Sequence, residues 1–281
     1  MNDRPLERVA KLMAARGLCS RREAERLIDA GCVVVDGAPV LAQGAKAAAD
    51  ADIRVTDAGE RLLGGRATVL LHKPVGVVST QPEPGQTPAW KLIRAAARRG
   101  EVDPSTLRSL LADPQSLSAA GRLDRASRGL LILTQDGTVA RRVIGGHGVE
   151  KEYLVRTDPP ASDGQVGKLN GPMRLDGEPL LPMRVSRVDA STLRFVLVEG
   201  KKHQIRRCAR TVGLAVTDLF RVAVGPLALG DLPEGCWRVA SAAEIERLQQ
   251  DGRAGGDQGK RPKAEGKRQK AKGDGARGDN R

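Results

Sequence analysis

Apolar positions in the first sixty residues recur at helical intervals and then give way to a strand pattern. Leu6, Val9, Ala10 and Met13 fall on one face of a helix that Gly17 ends. Ser20 and Glu23 stand in the S-x-x-E relation of a capping box, which satisfies orphan amides at a helix start, so a second helix opens at Ser20. Ala24, Leu27 and Ile28 give that helix its buried face, and Gly31 stops it. Cys32-Val33-Val34-Val35 reads as a strand, with Asp36-Gly37 as the turn before Val40. A Gly-rich hinge at Gly64-Gly65 then sets residues 1–62 apart as a small helix-helix-strand domain.

Beyond the hinge, Thr68-Val69-Leu70-Leu71 is a buried strand candidate, followed by Lys73-Pro74-Val75-Gly76-Val77-Val78-Ser79-Thr80 and a Pro-rich loop through Pro88. A helical pattern covers Trp90 to Arg98, and a polar linker runs on toward Ser118. Strands are predicted at 130–134, 152–157, 183–188 and 193–198, and helices at 138–144, 162–169, 203–212 and 241–250. Strands and helices mix without regular alternation, which predicts an α+β domain over 67–250 with a mostly antiparallel sheet. From Asp251 to Arg281 Gly, Lys and Arg recur without apolar periodicity, so a disordered basic tail is expected.

Composition narrows the partner. The chain of 281 residues carries a formal net charge of +13, which favours a phosphate-bearing ligand over an acidic one. That excess is uneven: residues 1–60 carry nine basic and ten acidic residues, so local clustering decides the N-terminal argument. Arg8, Lys11, Arg21, Arg22 and Arg26 all belong to the first two helices, and Arg22 and Arg26 share a face. They fit either an RNA-contacting surface or two solvated amphipathic helices with ordinary surface charges. No apolar run approaches the roughly 20 residues that span a membrane, and the N-terminus lacks the apolar core of a secretory signal. Four unpaired-looking cysteines and three histidines complete no ligand set, so reduced thiols, a cytoplasmic location and no bound metal are expected. Aromatics are too scarce for reading single strands by stacking on several rings.

Three segments could carry chemistry. Gly121-Arg122-Leu123-Asp124 places a carboxylate between Arg122 and Arg125, just before the strand Gly129-Leu130-Leu131-Ile132-Leu133. Such an aspartate could stay ionised as a nucleophile or strong acceptor; it could equally cap backbone amides in a turn or pair with Arg122 at the surface. Tyr153 and Val155 share one face of the strand Lys151-Glu152-Tyr153-Leu154-Val155. The ring fits core packing, or stacking on a base with its hydroxyl free to move a proton. In Glu199-Gly200-Lys201-Lys202-His203-Gln204-Ile205-Arg206-Arg207, a tight turn leads a dense basic cluster into a helix. Arg206 could form a two-pronged pair with Asp124, or the cluster could be a phosphate-contacting helix start without catalytic duty.

Taken in order, Lys73-Pro74-x-Gly76, Gly121-Arg122-Leu123-Asp124-x-x-Ser127-x-Gly129-Leu130, Lys151-x-Tyr153 and Gln204-Ile205-Arg206-Arg207 resemble bacterial RNA pseudouridine synthases, specifically the RsuA/RluB/RluE/RluF family. The segments Cys19-Ser20-Arg21-Arg22-Glu23-Ala24 and Glu150-Lys151-Glu152-Tyr153-Leu154-Val155 lean toward the RluF-type branch. The first sixty residues are similar to the RNA-binding domain named after ribosomal protein S-four. The resemblance implies a small RNA-binding domain followed by a synthase domain whose mostly antiparallel mixed sheet is flanked by helices. It implies Asp124 as the catalytic aspartate, Tyr153 as the tyrosine that stacks on the target base, and Arg206 as the basic partner of Asp124. Leu219 would be an apolar packing residue beneath the site. RNA contacts are expected from Arg8, Lys11, Arg21, Arg22, Arg26, Lys73, Arg122, Lys201, Lys202, Gln204 and Arg207. The implied reaction is isomerisation of a specific uridine in 23S ribosomal RNA, with 16S or transfer RNA as alternatives, by a monomer that needs no cofactor. A non-catalytic RNA-binding or ribosome-assembly factor and a glycoside hydrolase acting on nucleic acid remain the rival classes; the second would need another carboxylate.

Overall fold

A computed structural model describes residues 6–145 and 148–250. The tail from Asp251 onward, expected to be disordered, lies outside the described residues. In the N-terminal part β1 (Leu6–Arg8) leads into α1 (Val9–Ala15) and α2 (Arg21–Asp29), followed by β2 (Val33–Val35), β3 (Ala38–Val40), β4 (Lys46–Ala48), β5 (Ile53–Val55) and α3 (Asp57–Gly64). The capping box forms as expected: Ser20 Oγ accepts from Glu23 N at 3.2 Å while Glu23 Oε2 accepts from Ser20 N at 2.6 Å. Leu6 departs from expectation. It lies in β1, paired with Ala48 of β4, and its side chain is 61 % exposed. Helical spacing was imitated by a strand running directly into a helix. Val9, Met13, Leu27, Ile28 and Val33 form the core of this part, which reaches Leu63.

The larger part begins with β6 (Thr68–Lys73) and continues through α4 (Pro104–Ala112), β7 (Ser118–Ala120), β8 (Arg128–Thr134), α5 (Gly137–Ile144), β9 (Lys151–Asp158) and α6 (Asp163–Asn170). It is completed by β10 (Arg174–Leu175), β11 (Glu178–Pro179), β12 (Arg184–Arg187), β13 (Thr192–Leu197), α7 (Gln204–Thr211), β14 (Ala215–Val224), β15 (Leu227–Ala228), β16 (Trp237–Val239) and α8 (Ala242–Gln250). The main sheet has the order β12-β13-β9-β14-β8-β6-β16, and β14 with β8 is its parallel pair. The fold is α+β, with a mixed, mostly antiparallel sheet.

The period-2 rule explains why β8 is apolar throughout. Leu131 and Leu133 join one core with Leu110, Leu169 and Ile205 from α4, α6 and α7, whereas Leu130 and Ile132 join another with Val139, Val143 and Leu248 from α5 and α8. Both faces of the central strands are therefore covered. Instead of the helix expected over Trp90 to Arg98, the chain makes two short 3₁₀ turns, Ala89–Leu92 and Ala95–Ala97. The edge of the sheet imposes this: Trp237 Nε1 donates to Arg94 O at 2.9 Å and Arg99 N donates to Trp237 O at 2.8 Å, which draws the segment along β16. The polar stretch after it contains α4, opened by Asp103, whose carboxylate accepts from Ser105 N and Thr106 N ahead of Pro104 at the first turn. Among the described residues no helix is long and apolar enough to cross a membrane.

Candidate active site

The loop between β7 and β8 carries Asp124, and three separate anchors hold it. Ser79 Oγ donates to Leu123 O at 2.7 Å and accepts from Leu123 N at 2.9 Å, so one buried hydroxyl satisfies both backbone groups of the residue before Asp124. Gly76 N donates to Arg125 O at 2.8 Å, and Arg125 Nε donates back to Gly76 O at 3.2 Å. From the sheet, Arg221 is 1 % exposed, and its guanidinium donates to Leu130 O at 2.7 Å, Gly121 O at 3.0 Å and Arg122 O at 3.5 Å. A guanidinium is suited to this because its donors diverge in a fixed plane and can reach several carbonyls at once. Gly129 permits the close approach of β8 to β14: its φ is +109°, and a Cβ there would lie 2.3 Å from Arg221 O.

These anchors present the Asp124 side chain, 39 % exposed, at a cavity of about 560 Å³. Tyr153 lines the same cavity, only 8 % exposed, and sits directly across from Arg221 in the β9–β14 register. Leu219 is two residues before Arg221, opposite Val155, and adds an apolar wall. Val143 and Ile144 at the end of α5 close another side. Arg122, Lys201 and Lys202 are exposed at the lining. The cavity therefore joins a reachable carboxylate, a recessed phenol and several cations, a chemistry matched to a polyanion whose sugar and base are both handled.

Several expected partners fall elsewhere. Arg206 lines the cavity but does not pair with Asp124: its guanidinium donates to Val216 O at 3.0 Å and Ala126 O at 2.8 Å. The first turn of α7 aims it across the loop rather than along it, so it ties the chain two residues past Asp124 to β14. The ring beside Asp124 is instead that of His203, with Nε2 3.5 Å from Oδ1. His203 adopts a left-handed backbone, φ +53°, just before α7, which turns its ring toward the loop.

Lys73, expected at the RNA, is fully buried and donates to Pro74 O and Val77 O, both at 2.8 Å. Burial lowers its pKa to about 8, with Asp124 acting in the opposite sense. Gln204 is buried too: its amide donates to Glu199 at 2.9 Å and accepts from Lys201 N at 2.9 Å, which shapes the turn before α7. Arg207 does not face the cavity; it forms a two-pronged pair with Asp176 at 3.0 and 2.5 Å. Arg8, Lys11, Arg21, Arg22 and Arg26 lie on the N-terminal part, where Lys11 pairs with Glu7 at 2.5 Å and Arg21, Arg22 and Arg26 stand on α2.

Sequence reasoning missed Arg221, His203 as the neighbour of Asp124, and Ser79. Ser79 stood inside a motif already singled out, and His203 inside the basic cluster. Arg221 lay in a strand that was not anticipated.

The two parts of the molecule meet at α5. Glu23, the capping residue of α2, also accepts from Gly137 N at 3.3 Å and pairs with Arg66 at 2.9 Å. Arg66 reaches Asp136 at 3.3 Å as well, and Arg141 donates to Ala14 O and Cys19 O. A Cβ at Gly137 would lie 2.0 Å from that of Ser20, so the approach requires glycine there.

An N-terminal module with exposed arginines on α2 precedes a mixed sheet, and a looped aspartate shares one cavity with a recessed tyrosine. Residues 67–211 match the family model described as RNA pseudouridylate synthase, and residues 7–47 match the S4 domain. The chain belongs to the RNA pseudouridine synthases. Among its relatives, an uncharacterized RNA pseudouridine synthase of Aquifex aeolicus is 32% identical over 82% of this chain and 91% of that protein. A dual-specificity RNA pseudouridine synthase, RluF, of Salmonella typhi is 30% identical over 85% of this chain and 77% of that protein. A crystal structure of a pseudouridylate synthase shares the fold, with a TM-score of 0.58 at 24% identity, covering 86% of this chain and 99% of that one.

Proposed function

We propose that this synthase isomerises a uridine of 23S ribosomal RNA, with Asp124 acting at the sugar and Tyr153 at the base. The observation that carries the reading is the half-exposed Asp124 carboxylate opening on the cavity that Tyr153 lines. The reaction breaks the bond from C1′ to base nitrogen N1, turns the uracil, and makes a bond from C1′ to C5. The proton on C5 leaves and N1 gains one, so composition is unchanged and no oxidant or reductant takes part. The uridine must first leave its stack, at a cost of a few kcal/mol. Asp124 then attacks C1′ or removes the C2′ proton, and the Tyr153 side chain supports the loosened base, its oxygen taking the proton from C5 as its own O–H proton passes to solvent. Arg221 and Arg206 serve as positioning residues, holding the carbonyls of Gly121, Arg122 and Ala126 around the carboxylate.

The large-subunit target is what the RluF-type segments imply; the relatives of that name are dual-specificity RNA pseudouridine synthases, so the reading extends to a second RNA. Residues 1–62 would grip the RNA through Arg8, Lys11, Arg21, Arg22 and Arg26, residues 67–250 would carry the chemistry, and Arg122, Lys201 and Lys202 would hold phosphates at the cavity mouth. The tail from residue 251 would add nonspecific affinity through its excess positive charge. A monomer working in the cytoplasm during ribosome assembly completes the proposal.

Asp124→Asn removes the charge at nearly constant shape. Turnover, read as tritium released from uracil C5, should fall by roughly 10⁴-fold or more, as for other groups that act directly on the reacting atoms. Retained turnover would defeat the reading. Mapping pseudouridine in ribosomal and transfer RNA from cells with and without the gene identifies the target, and an unchanged 23S map would exclude it.

A further inference from the structure

Lys151 opens β9 two residues before Tyr153, so both side chains leave the strand on one face, and both line the cavity. The lysine is 8 % exposed. Its ammonium donates to Val149 O at 3.2 Å and Val198 O at 3.3 Å. An ammonium has three donors, so one is left without a protein acceptor among the described residues.

Among the described residues no carboxylate pairs with this cation. On its own strand, Glu152 is paired with Arg194 at 3.2 Å, and the preceding Glu150 with Arg184 at 2.9 Å. From β14 it faces another cation, Arg221, whose charge joins burial in lowering the lysine's pKa. From the turn before α7, Glu199 is occupied by Gln204 and by Leu181 N, and Lys201, Lys202 and Arg206 add positive charge. Asp124, across the cavity, has His203 beside it.

Burying a cation beside a second cation, with a donor left over, destabilises the fold. Methionine would fill the same space without that penalty. The arrangement makes sense if an anion occupies the cavity for part of the reaction. The proposed reaction supplies one: whether Asp124 attacks C1′ or takes the C2′ proton, the electron pair of the broken N1–C1′ bond stays with the base. The detached uracil is then an anion whose charge is shared by N1, O2 and O4.

We propose that Lys151 is a catalytic residue that donates its free N–H to a carbonyl oxygen of the detached uracil and stabilises the negative charge it carries. This deepens the synthase reading and rests on it. A donor fixed in advance where charge develops accelerates a reaction because little reorganisation is needed when the bond breaks. When C5 then bonds to C1′, C1′ releases the Asp124 carboxylate or, in the elimination route, C2′ regains its proton from Asp124; the pair returns to the new bond, C5 loses its proton, N1 takes one from solvent, and the ammonium keeps all its protons.

The test uses the full chain and an unmodified 23S transcript. Under saturating enzyme, Lys151→Met should slow tritium release by roughly 10²–10³-fold, the usual effect of losing one such donor, while RNA affinity by filter binding stays within about twofold. Lys151→Arg, which keeps the charge, should recover part of that loss. The wild-type rate should fall with rising pH at a midpoint below that of an ordinary lysine, and the Met variant should lack this fall. A transcript carrying 5-fluorouridine separates chemistry from architecture. Fluorine withdraws charge and stabilises the base anion by itself, so disappearance of 5-fluorouridine, read by nuclease digestion and mass spectrometry, should depend less on Lys151. Equal slowing on both transcripts, or full activity in Lys151→Met, overturns the proposal. A wild-type chain that makes no pseudouridine instead overturns the synthase target, not the role of Lys151.

Discussion

Positive charge is used in opposite ways at the two ends of this molecule. On α2 Arg21, Arg22 and Arg26 sit on the outer side of the helix, away from the Ala24, Leu27 and Ile28 core face. Around the cavity Lys73, Lys151 and Arg221 are buried and point their donors at backbone carbonyls. The first arrangement costs the fold little and suits a ligand whose phosphates arrive from outside. The second costs desolvation, which only hydrogen bonds or a charged reaction intermediate can offset. A lysine or arginine in the sequence thus says little until its surroundings are known; the same residue type stands open to solvent in one place and shapes a loop in another.

That contrast can be broken by substitution. Arg221→Met should have the largest effect, because three backbone carbonyls lose their donor inside the sheet. Stability should fall by about 3–5 kcal/mol, seen in urea unfolding, and turnover should be lost together with it. A variant that keeps wild-type stability and rate would show that the buried guanidinium is dispensable. Lys73→Met should act through pH. The folded pKa of Lys73 is lowered to about 8 from an ordinary 10.5. Between those values the unfolded chain holds a proton that the folded chain has released, so wild-type stability gains from this group as pH rises through that window. The Met variant should lack that gain, and the difference between their urea midpoints should shift as pH rises from about 8 toward 10.5. A constant difference would mean that the ammonium is not desolvated. Replacing Arg21, Arg22 and Arg26 together by Ala should have the smallest structural effect, within about 0.5 kcal/mol per site. RNA affinity should nevertheless fall, with the log–log salt slope decreasing by up to about 0.9 for each phosphate no longer engaged. Unchanged affinity would place the RNA on another face.

The parts of this design that were legible in sequence are those set by local patterns. The capping box of Ser20 and Glu23, the apolar run of β8 and the alternation of β9 each determine their own structure. So does the Gly-Arg-Leu-Asp loop, because its glycine and the strand after it fix where Asp124 can go. β14 was not legible: Thr217 and Asp218 interrupt its apolar positions, and register shifts between Val216 and Asp218 and between Arg221 and Ala223 break the period. With that strand went Arg221. Lys73 was misread for a related reason, since nothing local tells a lysine that Pro74 and Val77 will fold their carbonyls around it. Arg206 was placed correctly at the cavity and incorrectly on Asp124, because the direction of a side chain at a helix start depends on what the neighbouring loop offers it.

The shared carboxylate of Glu23 has a consequence for target choice. One side chain closes the first turn of α2 and grips the start of α5, whose far end walls the cavity at Val143 and Ile144. The arginine-bearing helix and the pocket are thereby joined as the two jaws of a caliper. On the proposed function, the RNA backbone would meet α2 while the base enters the cavity, and a stem one turn too long would then present the wrong nucleotide even with a perfect local sequence.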